Sequence, residues 1–314
     1  GIPVLTLKEI LKREVLQQAE SEMRFSEKNG IDLIFFFFFE YPVRLKACND
    51  APLVLYVKGN VKSNVSRVMA VVGSRKATPY GKNICEKLVK GLSLYNATVV
   101  SGLAYGIDIC AHMEAVKNNI PTIAVVAHGL DMIYPQKHEK FVSEILDTGG
   151  LISEFPSCTT LHPDFFPRRN RIIAGLSDAT LVVEAGIRSG SLITAELANS
   201  YNREVFAVPG RLDDHWSSGC NYLLKTHKAA LVQSEKDFEF LLGWELKSSG
   251  KSKPPLTGPE KQLENLFLES RTLHLDEISF RSGLDTGKVL SLLLQMEFSG
   301  HVASLPGKMY RWKG

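Results

Sequence analysis

The stretch Val68-Met-Ala-Val-Val72, followed by Gly73-Ser74-Arg75 and by a helical pattern over residues 79–95, decides the fold. Five consecutive apolar residues predict a strand that is buried on both faces. Thr78 is a good helix N-cap and Pro79 suits the first helical position, so a helix is expected soon after the strand. A strand, a glycine turn and a helix in this order are typical of a parallel α/β sheet.

The same unit recurs along the chain to about residue 243. Further strands are predicted at residues 97–100, 122–126, 150–153, 179–183, 204–208 and 229–232. Each is a short apolar run rich in valine or isoleucine, and helical segments separate them. We therefore predict an extended Rossmann-like, doubly wound, mostly parallel sheet.

The 314 residues leave room for two or three domains. We predict an N-terminal helical and extended segment at 1–60, the Rossmann-like core at 61–246, a polar linker at 247–259 and a winged-helix-like domain at 260–314. The last contains three helical patterns and a hairpin. Within the first segment, we expect a short amphipathic helix over residues 7–15 and a buried strand over the apolar run of residues 31–39, which ends in five phenylalanines.

Several classes of protein are not favoured by the sequence. No apolar stretch approaches the roughly 18 residues of a membrane span, and no signal peptide pattern is present. The scattered cysteines, never in CxxC spacing, favour a reducing cytoplasm. They are Cys48, Cys85, Cys110, Cys158 and Cys220. Without a phosphate loop, a zinc-protease motif or a hydrolase elbow, we expect no catalytic residue, no metal and no cofactor.

Three turns rich in glycine and hydroxyl side chains follow predicted strands. They are Gly73-Ser74-Arg75, the stretch from Ser101-Gly102 to Gly106, and Ser189-Gly190-Ser191. In an open parallel sheet such turns meet at the carboxyl edge, where backbone N–H groups and helix N-termini bind anions. Arg75 adds a planar cation that can hold a phosphate with two hydrogen bonds. The sequence therefore predicts an anion-binding edge.

A cluster of arginines forms the fourth signal. Arg168, Arg169 and Arg171 follow Phe165-Phe166-Pro167 within a few residues. Positive charges at a helix start oppose the helix dipole unless an anion is bound, and unstacked bases pack on arginine planes and aromatic rings. The alternative is a solvated helix start with both phenylalanines in the core.

The overall charge gives little indication of a nucleic-acid partner, because the formal net charge is only +3. Residues 60–254, which comprise the predicted core and part of the polar linker, hold 22 basic and 19 acidic side chains, so the whole excess lies in this stretch. We therefore expect a local cationic edge on a nearly neutral protein rather than a broadly basic surface.

Taken together, these segments resemble the DNA-processing protein A (DprA/Smf) family. The similar segments, in family order, are GSR (73–75), SGLAYGID (101–108), FPRRNRIIAGLSD (166–178), VVEAGIRSGSLITAELA (182–198) and EVFAVPG (204–210). The resemblance implies a non-enzymatic protein that binds single-stranded DNA. It further implies protection of incoming strands during natural transformation, help in loading the RecA recombinase, and a homodimer formed through the Rossmann domain.

The resemblance also implies which residues contact the strand. They are Gly73, Ser74, Arg75, Ser101, Gly102, Gly106, Arg168, Asn170, Arg171, Ser189, Gly190 and Ser191. One departure from the family pattern is residues 156–164, just before the arginine cluster, which contain no lysine or arginine. That absence puts one expected contact with the DNA backbone in doubt.

Two other functions stay open at this point. The stretch from Ser189 to Glu196 is similar to the PGGxGTxxE motif of lysine-decarboxylase-like phosphoribohydrolases, although it lacks the paired glycines. The winged helix would suit a transcription regulator, but its third helical pattern, residues 285–298, contains one lysine, Lys288. A helix in the major groove needs more phosphate and base partners than that, which favours a protein-interaction or structural role.

Overall fold

The strands of the first part of the chain form one large sheet. The computed structural model describes residues 13–62, 64–246 and 256–312, which fall into two compact units divided between Leu246 and Lys247. The strands of the first unit are β1 (Ile31–Phe35), β2 (Val54–Gly59), β3 (Val68–Val72), β4 (Thr98–Ser101), β5 (Thr122–Val125), β6 (Gly150–Ser153), β7 (Ala179–Val182), β8 (Glu204–Ala207) and β9 (Ala230–Leu231). Over the described residues, their order in the sheet is β1-β2-β6-β5-β4-β3-β7-β8-β9.

The pairing within this sheet is mostly parallel. Strands β3 to β9 pair in parallel, whereas β1 with β2 and β2 with β6 are antiparallel. The predicted doubly wound sheet is therefore confirmed, and β1 and β2, which lie within residues 1–60, extend it through β6.

Helices cover both faces of the sheet. They are α1 (Arg13–Lys28), α2 (Val43–Lys46), α3 (Pro79–Leu92), α4 (Ile107–Lys117), α5 (Val142–Thr148), α6 (Phe165–Leu176), α7 (Gly190–Ser200), α8 (Ser218–Lys225) and α9 (Asp237–Leu242). Alternate residues of β3 show the two faces: Val68, Ala70 and Val72 pack with α6, whereas Met69 and Val71 pack with α3. This double burial explains why the central strands have continuous apolar sequences.

The phenylalanine run differs from its prediction. Strand β1 ends at Phe35, and a hydrogen bond of 2.9 Å from Phe38 N to Phe35 O closes a turn. Phe36 packs edge-on against buried Tyr41, at 5.3 Å between ring centroids, but Phe37 is 82% exposed and Phe39 95% exposed. The predicted strand over residues 31–39 is thus confirmed for residues 31–35 and wrong beyond Phe35, because the chain turns before Phe37 to Phe39 can enter the core.

The start of the chain is only partly described. Helix α1 runs from Arg13 to Lys28, and residues 7–12 of the helix predicted over residues 7–15 lie outside the described residues.

The second unit consists of three helices and a small sheet. Its elements are α10 (Gly258–Glu269), β10 (Thr272–His274), α11 (Leu275–Ser282), α12 (Thr286–Phe298), β11 (Val302–Leu305) and β12 (Met309–Trp312). Strand β12 pairs antiparallel with both β10 and β11, which completes a winged-helix fold. The sequence did not suggest β10, because three residues are too few to show a pattern.

Helix α10 begins inside the predicted linker. Thr257 and Glu260 form a capping box, in which Thr257 N donates to Glu260 Oε2 at 2.8 Å. Residues 247–255 of that linker lie outside the described residues.

Candidate nucleic-acid interface

A cavity of about 920 Å³ opens at the carboxyl ends of β3 and β7. From these neighbouring strands the chain leaves in opposite directions, toward β4 after β3 and toward β8 after β7. The loops that follow therefore separate and leave a crevice, which is where open α/β sheets bind ligands. We call this cavity the cleft; it is lined mainly by residues 72–76, 186–191, 215 and 216 and by the start of α6 and of α7.

The cleft brings together seven of the twelve residues that the resemblance singled out. They are Gly73, Ser74, Arg75, Asn170, Ser189, Gly190 and Ser191. Lys76 and Arg188 also line it and are exposed, although the sequence analysis passed over them because each is a single cation beside a turn. Among the described lining residues, Asp108 is the one acidic residue, and its carboxyl group is buried. The charge that the cleft presents to solvent is therefore positive.

Aromatic rings lie beside these cations. The Arg75 guanidinium lies over the Phe166 ring, 5.2 Å from its centroid, and the Tyr134 ring packs against Phe166 at a tilt, with 5.8 Å between the ring centroids. Trp216 and His215 line the cleft near Arg188 and contact each other edge-on. The cleft thus combines flat surfaces with positive charge.

The loop that carries Arg75 is held in place by backbone hydrogen bonds. Ser74 N donates to Glu184 O at 2.7 Å, and Ser74 O accepts from Ile107 N at 3.1 Å. Gly106 has a φ of +80°, and a Cβ added there would overlap the Ser74 carbonyl oxygen. Ser74, which is only 4% exposed, and Gly106 thus hold the Arg75 loop in position. A direct contact of either residue with DNA stays a prediction.

Ser101 and Gly102 lie below the cleft. Ser101 is fully buried and its hydroxyl donates to Val71 O at 2.6 Å. A Cβ at Gly102 would lie 2.5 Å from Asp108 Oδ2 and 2.6 Å from Arg169 Nη2. Both residues therefore pack inside the protein. A direct contact of Ser101 or Gly102 with DNA stays a prediction, and neither residue is accessible to a ligand in this structure.

Asp108 and Arg169 form a buried pair of opposite charges under the cleft. Burial raises the pKa of the Asp108 carboxyl to about 6, although Arg169 and the N–H groups of Ala104 and Gly102 oppose this rise. Burial likewise lowers the pKa of Arg169 to about 10, against the attraction of Asp108. Arg169 also donates to the Val125 carbonyl. Its charge thus anchors α6 to the sheet.

The other two arginines of the cluster lie outside the cleft lining. Buried Glu154 pairs with both, at 3.1 Å from Arg168 Nη2 and in direct contact with Arg171. Arg171 also donates to Asp50 O, and its side chain is only 11% exposed. Arg168 is 57% exposed and lies over the Phe155 ring. Arg171 is therefore structural in this geometry, whereas a role for Arg168 in strand binding stays a prediction.

The N-terminus of α3 is occupied by a carboxylate of the protein itself. Glu184 Oε1 accepts from Thr78 N at 3.1 Å, and the Thr78 hydroxyl donates to Glu184 Oε2. Glu184 is 2% exposed. The N–H and the hydroxyl of Thr78 at this helix start are therefore already bound by a carboxylate of the protein, and phosphate binding by the turn at Gly73 stays a prediction.

The N-terminus of α7 is instead directed into the cleft. Ser189 caps the helix, with Ser191 N donating to Ser189 Oγ at 3.4 Å, and both residues line the cleft together with Gly190. Asn170 Nδ2 donates to Gly190 O at 3.4 Å and thereby joins α6 to this helix start. A helix N-terminus with small residues suits an anion.

The geometry does not favour the hydrolase alternative. Glu196 forms an ion pair with Lys228 at 2.6 Å on the outside of α7 and is not among the cleft residues. Among the described residues, no three side chains of His, Cys, Asp or Glu are grouped to hold a metal ion.

Comparison with known proteins identifies the family. The sequence matches the profile of DNA recombination-mediator protein A over residues 32–241 and that of the DprA winged helix domain over residues 248–308. The chain belongs to the DprA/Smf family. The predicted resemblance is thereby confirmed.

Relatives of this DprA/Smf protein include proteins of known sequence and structure. It is 37% identical to protein Smf of Escherichia coli over 282 residues, which cover 86% of this chain and 75% of that protein. The X-ray structure of DNA processing protein A from Streptococcus pneumoniae is similar with a TM-score of 0.66 and 39% identity, over 71% of this chain and 78% of that one.

A second similar structure belongs to a relative that is described for its DNA binding. The DNA processing protein A of Helicobacter pylori, described for its single-stranded DNA binding mode, is similar with a TM-score of 0.61 and 30% identity. The match covers 68% of this DprA/Smf chain and 100% of the H. pylori chain.

Replacement of Gly106 by alanine tests how the Arg75 loop is held. Gly106→Ala combines an unfavourable positive φ with overlap on Ser74 O, so we expect unfolding free energy to fall by about 3 kcal/mol. Gly30→Ala is the matched control, because Gly30 also has a positive φ, +63°, but nothing within 4 Å of an added Cβ. Its expected loss is about 1 kcal/mol. Urea unfolding measures both, and equal losses would contradict the proposed overlap.

The pKa of Asp108 predicts a pH dependence of stability. Its folded pKa of about 6 lies above the ordinary 3.8, so the protein takes up a proton on folding between these pH values. The free energy of unfolding of the wild type, minus that of Asp108→Asn, should therefore rise as the pH falls from 7 to 4, by up to about 3 kcal/mol. Urea unfolding of both proteins across this range measures the difference, and a constant difference would show that Asp108 does not titrate there.

Proposed function

We propose that this DprA/Smf protein binds single-stranded DNA in the cleft, protects incoming strands during natural transformation and helps load the RecA recombinase onto them. The observation that carries the proposal is the exposed trio Arg75, Lys76 and Arg188 around one cleft. A polyanion is the ligand that such a surface attracts.

The aromatic rings favour a single strand over a duplex. Phe166 and Trp216 lie in or beside the cleft, and the Arg75 plane already stacks on Phe166. Only unstacked bases present their faces to such rings, since duplex bases stack on one another. The start of α7, with Ser189 and Gly190, supplies backbone N–H groups for a phosphate between the bases.

The similar structure from H. pylori supports this assignment. That protein is described by its single-stranded DNA binding mode and matches this chain over 68% of its length. By similarity to that relative, we propose that the cleft of this chain binds a single strand.

The finer parts of the proposal rest on the family. Loading of RecA, protection during transformation, a homodimer formed through the Rossmann domain, and a cytoplasmic location follow the resemblance. We also propose that the protein acts by binding and without catalysis.

Among the described helices, none is long and apolar enough to cross a membrane.

The winged helix suits contact with protein better than with duplex DNA. On α12, Leu290, Leu294 and Phe298 recur at helical spacing and are exposed, the last by 85%. Lys288 is the one cation in this helix. A helix for the major groove would carry polar and cationic side chains on its exposed face, so we propose a protein-contact role for this unit.

Salt-dependent binding of an oligonucleotide tests the proposed function. We expect fluorescence anisotropy of a labelled single strand to show affinity that falls with salt, because counterions are released. Arg75→Ala and Lys76→Ala should each lower the slope of log affinity against log salt by about 0.7, the contribution of one phosphate contact on a single strand.

A matched control lies on the opposite edge of the sheet. Lys117 is 75% exposed at the C-terminal end of α4, away from the carboxyl edge, so Lys117→Ala should leave both affinity and slope unchanged. Binding that is absent, insensitive to salt or equally weakened by Lys117→Ala would contradict the proposal. Release of free base from a nucleoside monophosphate, lost in Glu196→Gln, would establish the hydrolase instead.

A further inference from the structure

Two cysteines face each other between α3 and α4. The Cys85 thiol on α3 lies 3.9 Å from Ile107 O, and the Cys110 thiol on α4 lies 3.7 Å from Lys82 O. Each sulfur thus contacts a carbonyl of the opposite helix, three residues before the other cysteine. Each thiol also shifts the pKa of the other, which agrees with two sulfurs that lie close together between the helices.

The two thiols differ in access to solvent. Cys85 is fully buried, whereas Cys110 is half-buried and lines a second cavity of about 840 Å³. This cavity is also lined by Arg75, Lys76 and Lys82. A small oxidant in that cavity can therefore reach Cys110 but not Cys85.

The surroundings also make Cys110 the thiol that ionises first. The hydrogen bond from Cys85 lowers the pKa of Cys110, and the nearby Lys82 ammonium acts in the same direction against the effect of burial. The same hydrogen bond and burial raise the pKa of Cys85. An accessible thiolate beside a buried thiol is the arrangement of an attacking and a resolving cysteine.

We propose that Cys85 and Cys110 form a reversible disulfide that weakens strand binding in the cleft. The oxidant is a peroxide: the Cys110 thiolate attacks its O–O bond, which breaks to give a sulfenic acid and, after protonation, water. The Cys85 sulfur then displaces the sulfenic hydroxyl, forming the S–S bond and a second water. The two sulfurs lose two electrons in total, which reduce the peroxide, and a dithiol reverses the reaction.

The effect on the cleft follows from where α3 and α4 begin. Thr78 caps α3 three residues after Arg75, and Ile107 N at the start of α4 donates to Ser74 O. Cys85 lies about two turns from the start of α3, and Cys110 lies about one turn from the start of α4. A disulfide between them draws the two helices together at that level. Gly106 already contacts the Ser74 and Arg75 backbone so closely that a Cβ would not fit. Because Gly106 and Ile107 contact the backbone of this loop, we expect the approach of the helices to displace Arg75.

The disulfide itself is tested without DNA. The full-length protein is treated with hydrogen peroxide, alkylated, digested with trypsin and examined by mass spectrometry without reduction. We expect residues 83–87 linked to residues 91–117 in the wild type and in Cys158→Ser, which removes an exposed cysteine elsewhere. Cys110→Ser and Cys85→Ala should lack the linked peptide, with circular dichroism confirming that both are folded. Cys110 that stays alkylated or becomes sulfinic acid without the link would overturn the proposal.

The effect on binding rests on the proposed function and is measured separately. Oxidised wild type should bind the labelled single strand at least about fivefold more weakly, the lower end of typical coupling between sites, and dithiothreitol should restore it. Peroxide-treated Cys110→Ser should bind as before treatment. A linked peptide with unchanged affinity would refute the regulation alone. Failure of the reduced protein to bind would refute the proposed function, while the linked peptide would still decide whether the disulfide forms.

Discussion

The cleft depends on Glu184, which joins the two sides of the crevice from the end of β7. Its main-chain oxygen accepts from Ser74 N, and its buried carboxylate accepts from Thr78 at the start of α3. One residue thus fixes both the Arg75 loop and the helix behind it. The carboxylate also occupies the positive end of the α3 dipole, where nucleotide-binding sheets of this class hold a phosphate. The cations of the neighbouring loops and the start of α7 are left as the surfaces for a polyanion.

The arginine cluster shows how one short segment serves two purposes. Arg169 and Arg171 are directed into the protein, toward Asp108 and Glu154, and hold α6 against the sheet. Because the acidic groups balance the charges of these two arginines inside the protein, α6 is held in place. Phe166 and Asn170 on the same helix therefore stay positioned at the cleft. Loss of the partner of a buried charge is costly, so Arg169 and Arg171 act as supports of the site in this geometry. A contact of Arg171 with DNA stays a prediction.

Burial on both faces made the central strands predictable from the sequence, because β3 to β8 are continuous apolar runs between glycine turns. The position of the site was also predictable, since those turns must meet at one edge. The roles of single residues were not. Glu184 lies 106 residues from Thr78 along the chain, so no local pattern could show that it occupies the helix start. Phenylalanines 37 to 39 look like a core strand by composition, but the turn after Phe35 depends on backbone hydrogen bonds that apolar residues do not specify.

The small number of charges in the cleft bears on the affinity that the proposed strand binding would have. Among the described lining residues, Arg75, Lys76 and Arg188 are the exposed cations. Three contacts with a single strand correspond to a salt slope of only about 2, so one cleft alone would hold a strand weakly at physiological salt. Two linked clefts on one strand multiply their affinities through a high effective concentration, provided that the strand spans both. The proposed homodimer would place two such clefts on one strand, and binding of that kind would be readily tuned by small displacements of a single loop.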